Sequence, residues 1–182
     1  MMKQVLALHG AGTQGRHQGS GDLIENLRTA LGTEYHFASP GMPRPEDPDY
    51  RSWRDKLLGE LDMLRGDLLL VGHSLGGSVL LKVLSEHAVV PRVSGLFVVA
   101  APYWGADEHW QAKEYELRGD FASRLANIPI YLYHSRDDEV VPFEHLGRYA
   151  KAVPDATVRD LDRFGHAYRE PCEPLLRDIR NA

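Results

Sequence analysis

Cysteine is almost missing from this chain of 182 residues: Cys172 stands alone, so no internal disulfide can form. An apolar core has to hold the fold instead, and the chain is long enough to bury one. A single thiol suits a reducing compartment and excludes a thiolate zinc cage. None of the nine histidines falls in an H-E-x-x-H spacing, so no metal is expected. Long apolar runs are also lacking. Nothing approaches the roughly 20 residues of a membrane span, and the apolar run within Met1–Gly10 is too short for a signal peptide. A cytoplasmic protein away from membranes is the expectation. Basic runs are missing as well, with 21 Lys and Arg against 26 Asp and Glu and a net charge of −5. That balance does not point to a nucleic-acid partner. Neither an internal repeat nor a linker is visible, so residues 1–182 are expected to form one domain.

What is present is an alternation of two patterns. Short apolar runs at 5–8, 35–38, 68–71, 96–100, 130–133 and 156–161 predict six strands. Most are continuously apolar, as strands covered on both faces are. Between them, apolar residues at helical spacing predict helices over 21–31, 50–64, 75–87, 143–152 and 171–180. Strict alternation implies an α/β three-layer sandwich, a mainly parallel sheet of about six strands flanked by helices. Functional residues in such a sheet gather at the carboxyl ends of the strands. The proline-rich stretch 40–48 predicts a stiff loop, and 102–107 a second irregular segment.

Gly72-His73-Ser74-Leu75-Gly76 fits G-x-S-x-G. It follows a predicted strand and opens a predicted helix, the context that a nucleophile elbow requires. Glycines flank the serine because the turn is sharp and neighbouring chain crowds it. The helix N-terminus that follows favours developing negative charge. A glycine-rich turn with an incidental serine is the plainer alternative. A hydroxyl nucleophile also needs a base, and the base an orienting acid. Downstream, His134 to Pro142 follows the fifth predicted strand and Arg163 to His166 the sixth. Both lie on the same edge as Ser74.

Together these segments resemble the α/β-hydrolase superfamily over nearly the whole chain. The family's acid commonly stands in H-G-x-x-D-x-x-V-P. Here the segment reads His134-Ser135-Arg136-Asp137-Asp138-Glu139-Val140-Val141-Pro142, which places the acid at Asp138, with Ser135 departing from the family glycine. Gly165-His166 matches the family's G-H base. His9-Gly10-Ala11 matches the loop whose last N–H serves the oxyanion hole, with Leu75 N–H as second donor. The chain begins close to His9, so the family's two usual leading strands are not expected, and without a large insertion neither is a separate lid. It looks similar to the compact serine hydrolases of the retinoblastoma-binding-protein 9 type. The resemblance implies hydrolysis of a small ester or thioester through a Ser74-His166-Asp138 triad, with no cofactor. An amidase, a carbon–carbon hydrolase on the same triad and a non-catalytic binding module are the alternatives. The oligomeric state is open.

Several residues carry two readings. Asp137 rivals Asp138 as the acid but suits a turn or cap. Met42, Tyr103 and Trp104, with Trp110, either wall the site for an acyl group or pack under long loops. Gly10-Ala11-Gly12-Thr13-Gln14-Gly15 has some glycine spacing of a dinucleotide loop but lacks the full G-x-G-x-x-G.

Overall fold

A computed structural model describes residues 3–89 and 91–182. Six strands form one sheet: β1 (Lys3–Leu8), β2 (Tyr35–Ala38), β3 (Asp67–His73), β4 (Arg92–Val99), β5 (Ile130–Ser135) and β6 (Thr157–Leu161). Their spatial order is β2-β1-β3-β4-β5-β6, and every neighbouring pair is parallel. The helices are α1 (Gly21–Leu31), α2 (Tyr50–Met63), α3 (Leu75–Glu86), α4 (Phe121–Arg124), α5 (Glu144–Ala152) and α6 (Glu173–Asn181). This is the three-layer α/β architecture that the alternation predicts.

The inner strands bury both faces, and their alternation sorts the core into two halves. Leu6, Leu8, Leu68, Leu70, Leu96 and Val98 point to one side, where they meet Trp53 and Leu57 of α2, Val79 and Leu80 of α3, and Tyr149 of α5. Val5, Ala7, Leu69, Val71, Phe97 and Val99 point to the other, against Leu23 and Leu27 of α1 and Leu175 and Ile179 of α6. The central strand β3 is buried from Leu68 onward, whereas edge strand β2 is only partly covered. That gradient explains why the sequence signal is strong for β3 and weak for β2.

Two elements differ from the sequence reading. Strand β4 begins at Arg92, well before the apolar run at 96, because its register slips between Leu68 and Leu69 of β3 and breaks the apolar pattern near Ser94. Helix α4 is a single four-residue turn, too short to carry periodicity. Among the described residues no helix is long and apolar enough to cross a membrane.

The strand order decides where a site can form. From β1 the chain goes outward to β2 and then returns to β3 on the other side of β1. Loops leaving β1 and β3 therefore diverge and open a crevice at the carboxyl ends of these strands. Leu8 of β1 pairs with Gly72 of β3, so His9-Gly10 and Ser74 emerge side by side.

Candidate active site

Ser74 sits between β3 and α3 with φ 52° and ψ −124°, a conformation that a non-glycine residue adopts only under constraint. The constraint comes from close packing of backbone. A Cβ on Gly72 would lie 2.6 Å from Gly77 Cα, and one on Gly76 would lie 2.5 Å from the His9 carbonyl oxygen. A Cβ on Gly10 would lie 2.9 Å from Ser74 Cβ. Three glycines thus let β1, β3 and α3 close on one point and force the serine outward. Ser74 N–H donates to Val99 O at 2.8 Å, which pins the turn to β4.

The base and acid arrive from the far half of the sheet. His166 Nδ1–H donates to Asp138, at 2.9 Å to Oδ2 and 3.1 Å to Oδ1. A carboxylate can only accept, so the proton sits on Nδ1 and Nε2 is free to accept. Ser74 Oγ stands 3.1 Å from that Nε2. The Asp138 side chain is fully buried. Burial alone would favour its protonated form. Hydrogen bonds from His134 and His166, the attraction of His166 and the Val140 N–H outweigh this and hold the carboxyl well below its ordinary range. Its Oδ1 also accepts the N–H groups of Val140 and Val141 at 2.9 and 2.8 Å. Asp137 faces elsewhere: it accepts from Ser135 Oγ at 2.5 Å and from Gly165 N–H at 2.9 Å.

The loop bearing His166 is fastened at successive residues. Ser135 Oγ accepts Phe164 N–H at 2.9 Å, Asp137 accepts Gly165 N–H, and Glu139 Oε2 accepts His166 N–H at 3.0 Å. Alternate residues from the end of β5 into its following loop therefore take three consecutive amides, while Asp138 among them takes the ring. Ser135, the departure from the family glycine, is part of this fastening. Arg163 and Tyr168 are left-handed non-glycine residues, so the loop is held against backbone preference.

Ala11 lines a cleft of about 190 Å³ together with Gly10, Ser74, His166 and Val140. Leu75 is the first residue of α3, so its N–H has no intrahelical acceptor. Asp22, Glu139 and Arg169 add charge to the cleft walls, and His17 adds a polar ring. A larger cleft of about 450 Å³, near Leu125, Ile130 and Val153, lies at the opposite edge of the sheet and is lined by no histidine.

Met42, Tyr103 and Trp104 are not among the residues lining the cleft of Ser74. Met42 is buried in the core half that contains α2 and α3. The Tyr103 ring packs edge-on against Tyr149 at 4.8 Å. Trp104 packs against Trp110 and Tyr115, and its Nε1–H donates to Ser78 Oγ at 3.2 Å. Trp104 is thus packed over α3 and Tyr103 against α5.

Sequence reasoning singled out neither Ser20 nor, beyond its place in the elbow motif, His73. Ser20 and His73 are both buried and bonded to each other, Ser20 Oγ lying 2.7 Å from His73 Nδ1. Ser20 lies in a polar loop and His73 inside the elbow motif, so neither carries a separate signal.

Among curated proteins none matches the sequence significantly. Solved structures match closely in shape. The ydeN gene product from B. subtilis is 21% identical, with a TM-score of 0.77 over 98% of this chain and 97% of its own. The meta-cleavage product hydrolase CumD from Pseudomonas fluorescens IP01 is 15% identical, with a TM-score of 0.75 over 98% of this chain and 89% of its own. Est1E from Butyrivibrio proteoclasticus, 15% identical, gives 0.72 over 98% and 85%. At such identities the likeness is one of fold, and the fold is that of the α/β-hydrolases. The serine hydrolase family model matches residues 30–170, which include Ser74, Asp138 and His166. The chain therefore belongs to the serine hydrolase family.

Proposed function

We propose that the chain hydrolyses a small ester or thioester by two-step acyl transfer, with Ser74 as nucleophile, His166 as base and Asp138 as the orienting acid. The observation that carries this reading is the relay of contacts in which Ser74 Oγ lies 3.1 Å from His166 Nε2 while Nδ1–H meets Asp138 at 2.9 Å. Such a relay lets the imidazole accept the serine proton as Oγ attacks the carbonyl carbon. The C–O or C–S bond to the leaving group then breaks, and His166 returns the proton to that leaving atom. Water repeats the sequence on the acyl-enzyme and regenerates Ser74. Asp138, kept ionised by its donors, fixes the tautomer and stabilises the imidazolium. The N–H groups of Ala11 and Leu75 are the proposed oxyanion donors, each contributing roughly 3 kcal/mol to the barrier.

The cleft of about 190 Å³ favours short acyl and leaving groups over long chains, and its polar wall favours small-molecule substrates. A panel of short-chain and long-chain esters, thioesters and amides tests the reading. Turnover is expected for short esters or thioesters and lost in Ser74→Ala with the fold kept. Equal turnover by Ser74→Ala would assign the chemistry to another group.

A further inference from the structure

The triad accounts for side chains that touch the reacting atoms but not for a second chain of hydrogen bonds running beneath them. Gly10 N–H donates to Ser20 Oγ at 2.8 Å. Ser20 Oγ lies 2.7 Å from His73 Nδ1, and His73 Nε2 lies 2.7 Å from the backbone carbonyl of His166. The direction of each bond follows from the partners. A carbonyl only accepts, so His73 Nε2 must carry the proton. Burial, and next the neighbouring His166, push the His73 imidazole down to about 3, so it is neutral and its Nδ1 is bare. Ser20 O–H therefore donates to Nδ1, which leaves the Ser20 lone pairs to accept from Gly10. Every hydrogen in the chain has one acceptor, and neither side chain can turn over without breaking two bonds.

We propose that Ser20 and His73 are positioning residues that lock the loop of Ala11 and the loop of His166 to each other across the nucleophile turn. This rests on the roles proposed above for Ser74, His166 and Ala11. The relay joins three segments: the loop after β1, the end of β3 and the loop after β6. His73 precedes Ser74, so the lock is referenced to the nucleophile itself. It grips His166 by its backbone carbonyl, while Glu139 takes the His166 N–H. The His73 ring also packs against the His166 ring, 4.9 Å between centroids. The function this supplies is fixed spacing between the base and the oxyanion donors, on which acyl transfer depends steeply.

The test uses Ser20→Ala, His73→Phe and the double variant of the full chain, with kcat, KM and the melting curve for each. Ser20→Ala is expected to lower kcat about 10- to 100-fold while leaving KM within about twofold. The double variant is expected to be no slower than His73→Phe alone, because either change breaks the same lock. Long-range proton–nitrogen spectra of the wild type are expected to show His73 protonated on Nε2 and bare on Nδ1 across neutral pH. An unchanged kcat in Ser20→Ala, losses that multiply in the double variant, or a His73 proton on Nδ1 would each overturn the proposal. A wild type that turns over no ester would count against the catalytic reading instead. The spectrum tells the two failures apart because it reads the relay without turnover.

Discussion

The two edges of the sheet obey different rules. At the amino edge, where helices return into strands, the described residues with positive φ are Gly32 and Gly66, glycines that tolerate it. At the carboxyl edge six non-glycine residues hold that conformation: His17, Arg44, Ser74, Ala100, Arg163 and Tyr168. Each follows the end of a strand. A left-handed non-glycine residue costs on the order of 1–3 kcal/mol and persists only where its surroundings over-determine it. The amino edge is therefore built for stability, and the carboxyl edge spends some stability on placing Ser74, His166 and the loop of Ala11.

The sharpest way to break this contrast is Ser74→Gly. It is expected to lower turnover about a million-fold yet raise the stability of the fold by roughly 1–2 kcal/mol, read as a higher denaturant midpoint. A loss of stability would mean that the serine is not strained. Asp138→Asn comes next, with kcat expected to fall about 10⁴-fold because the imidazole loses its tautomer. This variant also carries a pH signature. The native Asp138 carboxyl is held below its ordinary value of 3.8, so its ionised form stabilises the fold above that pH. That contribution is lost as pH falls through the lower native value. The stability gap between wild type and Asp138→Asn should therefore be full at neutral pH and close in acid.

Two glycine changes separate the edges further. Gly72→Ala would put a Cβ 2.6 Å from Gly77 Cα. Its expected cost is about 1–3 kcal/mol of overpacking, together with a fall in kcat as the turn shifts. Gly66→Ala meets no atom within 4 Å but has φ +82°. It should cost about 1 kcal/mol through backbone strain alone and leave kcat unchanged. Equal effects of the two changes on kcat would erase the distinction between the edges.

The same contrast explains what could be read in the sequence. The sheet interior follows hydrophobic patterning, so runs such as Leu68 to Val71 marked their strands directly. Strand β4 was legible only from Leu96, because Ser94 and Gly95 lie where its register slips against β3. Ser74, Asp138 and His166 were legible because strand ends, chain order and family spacing converge on them, and the structure brings all three within hydrogen-bonding reach. What escaped is what depends on three-dimensional closure. Ser20 is bonded to His73, 53 residues away, and no local pattern marks such a pair. Ser135 read as a departure from the family, whereas in space it accepts the amide of Phe164. Trp104 and Tyr103 show the converse: aromatic residues near a site in sequence are drawn into packing, over α3 and against α5, when neighbouring rings are in reach.

The decisive measurement maps the adduct of a fluorophosphonate probe on the wild-type chain, by intact mass and then by peptide. A single phosphonyl group on the peptide that holds Ser74 is the predicted result, and its formation should slow steeply in His166→Ala. A folded chain that takes up no probe, or takes it up on another residue, would rule out Ser74 as the nucleophile.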